Sequence, residues 1–219
     1  MNDGMRGSVL IYGIGFLAQI FFSARTILQW VKSEKAKTVV SPSSYWLLSV
    51  AGSYLFFIYG WLRDDFAILF GQFISYYIYL RNLKWKGLWQ KFILPLKLLL
   101  VLTPLVATAL VFLHNTEFLH RFIFNDKVPP GLLIFGSAGQ VIFTFRFIYQ
   151  WIYSFRRKES VLPAGFWIIS LVGSSTIIAY GIFRADPVLI LGQSFGFVAY
   201  LRNLVIGFRA KRTSGPANR

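Results

Sequence analysis

Two arginines, Arg25 and Arg146, stand in apolar stretches 121 residues apart, and each is followed four residues later by a glutamine, Gln29 and Gln150. A guanidinium in hydrocarbon costs about 2.5 to 3.5 kcal/mol even on the lenient insertion scale, so a repeated one needs a partner, water or a way out. Two planar forks meeting in one cavity could share the oxygens of a single phosphate or diphosphate. Gln29 and Gln150, one turn along the same helix face, could then hold the forks or a sugar. The competing reading is snorkelling, because Arg25 lies only seven residues from Lys32, roughly 10 Å along a helix.

Other chemistry is poorly supplied. There is no cysteine, there are two histidines (His114 and His120), and eight acidic residues serve the whole chain. Thiolate metal sites, cysteine nucleophiles, a histidine metal cage and a Ser-His-Asp triad are therefore not expected. No cofactor is implied.

The elements that must position these arginines follow from composition. The 219 residues are 56% hydrophobic and 14% charged, against about 45 to 50% and about 25% in soluble domains. Apolar runs at roughly 8–31, 45–62, 66–83, 93–113, 131–153, 164–183 and 187–207 are each long enough to span a bilayer as a helix. Tryptophan and tyrosine crowd their ends, as interfacial belts do. The first run is read as a retained helix, since Arg6 alone makes a thin basic region for a signal peptide. With alternating loops, fifteen Lys and Arg fall on one side and five on the other, with Arg25, Lys97 and Arg146 inside the spans. That places the amino terminus outside and the basic tail in the cytoplasm. The net charge of +15 thus needs no nucleic acid; topology and anionic membrane lipids account for it.

Residues 9–83 align without gaps on 130–204, with 26 identities in 75 pairs. The chain divides into a first three-helix repeat over 1–88, a linker helix and outer loop over 89–129, a second repeat over 130–207 and a basic tail over 208–219. The unmatched linker helix, which Pro95 and Pro104 should kink, makes the repeats parallel. The expected architecture is an all-α membrane protein of seven transmembrane helices in a 3+1+3 parallel-repeat arrangement. Such repeats are related by an approximate two-fold axis, and transporters built so place their substrate path between them. A duplicated scaffold without a pathway is the competing reading.

On the first helix the shared Gly15, Gln19, Phe22, Arg25, Gln29, Trp30 and Ser33 fall within an arc of roughly 140°. The shared stripe of the second helix, with Trp46, Ser49, Gly52, Ser53 and Tyr59, suits close helix packing. On the third, Asp65, Gln72 and Tyr79 are spaced by seven, with Asn82 beside them. The candidate substrate-binding set is therefore Arg25 and Arg146, Gln29 and Gln150, Gln19 and Gln140, Gln72 and Gln193, Tyr79 and Tyr200, Asn82 and Asn203, and Trp46 and Trp167. Asp65 and Asp186 are expected to cap their helices, with an external gate or proton site as the sharper alternative.

Gln29-Trp30, Ser33-Glu34, Pro42, Tyr45-Trp46, Ser49, Gly52, Tyr59, Asp65, Gly71-Gln72 and the Leu80-Arg-Asn-Leu83 tetrapeptide, recurring from Gln150-Trp151 to Leu204, resemble tandem copies of the lipid-A-biosynthesis N-terminal-domain family. That family lies within the PQ-loop and SWEET-like group of membrane transporters. The resemblance implies a place in bacterial envelope glycolipid assembly at the inner membrane, often beside polyprenyl-phosphate glycosyltransferases. The SWEET-like group implies alternating access through two three-helix bundles. Two departures stand out: Arg25-Thr26 and Arg146-Phe147 replace the Pro-Gln pair, and Ser154-Phe155 replaces Ser33-Glu34.

The reading these residues and the resemblance favour is a transporter or flippase for an anionic lipid-linked sugar, an undecaprenyl-phosphate sugar or a lipid A precursor. Its partners would be that glycolipid, membrane lipids and a polyprenyl-phosphate glycosyltransferase. Two alternatives stay open: a SWEET-type facilitator of small sugars, and a non-catalytic membrane subunit of a lipid A or polyprenyl-phosphate glycosyltransferase. Catalysis by this chain alone, as a lipid-A-disaccharide synthase, lacks a nucleotide-sugar site and a carboxylate constellation.

Overall fold

A computed structural model describes residues 3–62, 66–114, 129–183 and 187–213. Among the described residues the chain is all-helical, with α1 (Asp3–Ala36), α2 (Ser43–Leu62), α3 (Phe66–Trp85), α4 (Leu94–His114), α5 (Pro130–Arg157), α6 (Ala164–Phe183) and α7 (Pro187–Thr213). A short 3-10 turn, Trp89–Lys91, precedes α4. The repeat offset reappears in the helix boundaries: α2 and α6, the starts of α3 and α7, and the ends of α1 and α5 all differ by 121 residues. Several helices overrun their apolar stretches, because charged residues such as Lys35 and Arg212 continue a helix beyond the run that nucleates it.

Local signals explain the ends. Pro42 and Pro163 stand immediately before α2 and α6, and their carbonyls accept the first bonds from the N–H groups of Tyr45 and Phe166, both at 3.0 Å. Proline at the entry costs no hydrogen bond, since that N–H would be unpaired anyway. At the end of α3, Gly87 adopts φ +71°. The Leu88 N–H then reaches the Leu83 carbonyl at 3.1 Å and the Gly87 N–H reaches Lys84 at 3.0 Å, a Schellman closure. The first helix of each copy ends in the same left-handed way on a lysine, Lys37 at φ 53° and Lys158 at φ 56°. A side chain in that conformation costs roughly 1 kcal/mol that glycine would not.

The described chain forms two compact units, Met1–Ala24 with Trp46–Lys127, and Arg25–Tyr45 with Val128–Arg219. In the first unit Phe22 meets Phe56 edge-on at 5.9 Å. A Cβ on Gly15 would strike the Tyr59 ring at 2.9 Å. The linker helix α4 is fastened here by two tyrosines: Tyr76 Oη donates to the Leu100 carbonyl at 2.9 Å and Tyr77 Oη to the Val101 carbonyl at 2.8 Å. Pro104 explains that choice. Lacking an N–H, it leaves the carbonyl four residues earlier, Leu100, without its helical donor, and its ring disturbs the next.

In the second unit α5 packs on α6 and α6 on α7. Gly136 and Tyr180 repeat the Gly15–Tyr59 approach at 2.7 Å, and a Cβ on Gly173 would lie 2.9 Å from the Phe143 backbone. Small residues here permit close helix contact.

Polar as well as hydrophobic residues are deeply buried. Gln29, Ser33, Asn82, Gln150, Ser154 and Asn203 are fully buried, whereas Leu10, Phe16, Leu98, Ile134, Val141, Phe183 and Val198 are exposed. Two stretches among the described residues, Gly13–Ala36 and Ala164–Phe183, are long and apolar enough to cross a membrane by length and composition, and Leu94–Leu110 is a shorter apolar helix.

Candidate functional site

The buried arginines converge. Arg25 and Arg146 are 6% and 3% exposed, and both belong to the second unit. Their guanidinium carbons lie 5.6 Å and 4.6 Å from the centroid of one ring, Phe147. Arg25 also stands 5.3 Å from the Tyr45 ring. The enclosure of Arg146 is tighter: Phe143 lies 3.3 Å away, Tyr200 5.3 Å and Phe166 5.6 Å. One terminal N–H of Arg146 donates to Tyr200 Oη at 3.1 Å, and its Nε makes no hydrogen bond. Both side chains are buried within the folded chain beside aromatic rings.

A desolvated guanidinium over an aromatic face gains about 2 kcal/mol from the ring quadrupole. That offsets part of the cost of a buried cation and leaves its full charge in place. Two such charges beside one ring make a region of strong positive potential suited to an anion with several oxygens.

The neighbouring glutamines make hydrogen bonds within the fold. Gln29 Nε2 donates to Ser33 Oγ at 2.9 Å and to the Val40 carbonyl at 3.2 Å. Gln150 Nε2 donates likewise to Ser154 Oγ at 2.8 Å and the Val161 carbonyl at 2.9 Å. The same serine hydroxyls accept from the Val40 and Val161 N–H groups, both at 3.2 Å. Each Gln–Ser pair thus pins the loop after the first helix of its copy back onto that helix. The two loops meet through Ser41 and Ser160, whose hydroxyls are 3.1 Å apart.

The remaining candidates divide. Asn203 Oδ1 accepts from Gln29 at 2.8 Å, and Asn203 and Asn82 each donate to their own helix, at the Ala199 and Ile78 carbonyls, both at 2.9 Å. Tyr79 packs on Trp46 at 6.1 Å and Tyr200 on Trp167 at 6.0 Å, a repeated pair. Gln72 is half-buried and accepts from Ser53 Oγ at 2.7 Å. In the second copy Gln193 is also half-buried, while Ser174 bonds the Leu171 carbonyl at 3.2 Å. Gln19 and Gln140 are exposed and stand apart from the buried set. Asp65, Asp186 and His120 lie outside the described residues.

Three features escaped the sequence reading: the ring cage of Phe143, Phe147 and Phe166, the Tyr76–Tyr77 anchor, and an ion pair between Glu34 and Arg202. Glu34 Oε1 accepts from Arg202 Nε, and Glu34 Oε2 from the Arg202 terminal nitrogen at 3.1 Å. The Trp30 indole donates to Glu34 at 2.9 Å. At the matching positions of the other copy stand Phe155 and Arg81, and Arg81 lies 5.2 Å over the Trp85 ring.

A family model described as the lipid A biosynthesis N-terminal domain matches residues 14–84 and again 135–205. The lipid-A-disaccharide synthase of Chlamydia pneumoniae is 32% identical over 210 residues, covering 94% of this chain and 35% of that protein. Those of Chlamydia felis and Chlamydia trachomatis serovar D are 31% and 30% identical, covering 93% and 91% of this chain and 34% of each relative. The chain therefore spans about a third of the length of the curated relatives it matches. No solved structure matches it.

Proposed function

The chain belongs to the lipid A biosynthesis N-terminal domain family, and from that premise we propose that it is an inner-membrane protein that binds an anionic lipid-linked sugar of lipid A biosynthesis and moves it across the bilayer. The observation that carries this reading is the convergence of Arg25 and Arg146 on Phe147. A phosphate matches two guanidinium forks beside one ring better than a neutral sugar does. Buried polar residues inside and apolar residues outside support the membrane as solvent. Single cysteines at Ser8 and Ser214, introduced into this thiol-free chain, are expected to label from opposite sides; same-side labelling would remove the seven-span topology.

Movement is tested by reconstituting the protein into vesicles with a fluorescent polyprenyl-phosphate sugar and quenching the outer leaflet. Protein-dependent exposure of inner-leaflet label is the expected result. Binding without movement would overturn the transport step and favour a second reading, in which the chain is a non-catalytic membrane subunit that presents the glycolipid to a glycosyltransferase. Its support is that the relatives are synthases three times as long. On either reading the partner is an anionic glycolipid.

A further inference from the structure

Of the buried donors of the second unit that make no hydrogen bond, two flank the same pair of rings. Arg146 Nε makes no hydrogen bond and neither does the indole Nε1 of Trp167, although these residues are 3% and 2% exposed. They belong to one cluster. The Arg146 guanidinium carbon lies 5.3 Å from the Tyr200 ring and 5.6 Å from Phe166. The Trp167 ring lies 6.0 Å from Tyr200 and 4.8 Å from Phe166. Roughly 90% or more of buried polar groups in folded proteins find a partner, so two orphans flanking the same two rings need a common explanation. Both are donors only, which means the occupant must bring the acceptors. The formal charge on one of them favours an anionic oxygen over a neutral hydroxyl.

We infer that Trp167 Nε1 and Arg146 Nε donate together to the oxygens of a phosphate ester, forming a two-donor subsite within the second unit. This rests on the phosphate reading above and deepens it, because it adds a neutral donor that charge alone does not single out. Trp46, the matching residue of the first copy, packs on Tyr79 as Trp167 packs on Tyr200, and it is not without a further partner. In this subsite both donors come from the second copy, and Arg25 of the first copy adds its charge.

The test is calorimetric titration of the purified full chain in detergent with farnesyl monophosphate, farnesol and inorganic phosphate. The wild-type protein is expected to bind the monophosphate at least tenfold more tightly than farnesol. Trp167→Phe, which keeps a ring and removes the N–H, is expected to weaken the monophosphate about tenfold, the fold-change of one charge-assisted hydrogen bond, and to leave farnesol unchanged. Inorganic phosphate that competes as well as the monophosphate would identify free phosphate as the natural source; competition by the lipid alone would identify a lipid headgroup, and either outcome supports the subsite. Wild-type affinity in Trp167→Phe overturns the subsite and leaves the arginine reading standing. A wild-type protein that does not prefer the monophosphate to farnesol overturns the arginine reading, and the subsite with it. Should Trp167→Phe fold poorly, the indole spectrum of 15N-tryptophan-labelled wild-type protein decides: one indole resonance is expected to move with the monophosphate and stay with farnesol, and no movement overturns the inference.

Discussion

The two copies share a backbone plan and differ in what they attach to it. At Tyr76 and Tyr77 the first copy carries hydroxyls that hold α4 at the carbonyls loosened by Pro104; the second has Phe197 and Val198 at the same places, with nothing to donate. At Thr26 the first copy has a small residue, whereas the second has Phe147, the ring that serves both arginines. Glu34 pairs with Arg202, while its counterpart is the exposed Phe155. The copies thus share helix boundaries, while α4 is fastened to tyrosines of the first and the ring cage is drawn from the second.

The anchor is the sharpest structural difference, and removing it should have the largest effect on stability. Tyr76→Phe with Tyr77→Phe is expected to destabilise the protein by about 2 to 3 kcal/mol, because each leaves a carbonyl unsatisfied. Phe197→Leu, at the matching position, should cost less. In a Pro104→Ala background, where the Leu100 carbonyl regains a helical donor, thermal unfolding should show a smaller loss for Tyr76→Phe. An equal loss in both backgrounds would break the proposed link between proline and tyrosine.

The Gln–Ser latch is where the copies agree, so its removal should cost the same in each. Ser33→Ala and Ser154→Ala are each expected to lower stability by about 1 to 2 kcal/mol. A twofold difference between them would show that the loops are not equivalent. The left-handed lysines should also behave alike, in the opposite direction: Lys37→Gly and Lys158→Gly are expected to stabilise by about 0.5 to 1 kcal/mol each. The Glu34–Arg202 pair is 36% and 40% exposed, so Glu34→Gln should have the smallest effect on thermal unfolding, and one that shrinks further in high salt.

What the sequence made legible was whatever the two copies hold in common. The offset of 121 anticipates the shared helix boundaries, and the same comparison singles out the paired arginines, both of which lie near the Phe147 ring. Comparing copies is blind, however, to what only one of them has. Tyr76, Tyr77, Glu34 and Phe147 fail that filter because their counterparts are different residues, although each makes a specific contact. Helical phase has its own limit. Gln19 shares an arc with Arg25 yet is exposed, because an arc fixes direction around a helix and says nothing of what covers it at that height. For Gln29 and Gln150, the serine four residues on was the available clue to the latch: an amide and a hydroxyl one turn apart can bond each other before either reaches a ligand.

The central claim is that Arg25 and Arg146 together hold a phosphate, and it is tested most directly by farnesyl monophosphate binding to Arg25→Lys and Arg146→Lys in purified, folded protein. Lysine keeps the charge and loses both the planar fork and its stacking on the rings. Binding at least tenfold weaker in both variants is the predicted result, with the larger loss at Arg146, whose cage is tighter. Wild-type affinity in both would contradict the claim and leave the arginines as cations held by the aromatic rings for packing alone.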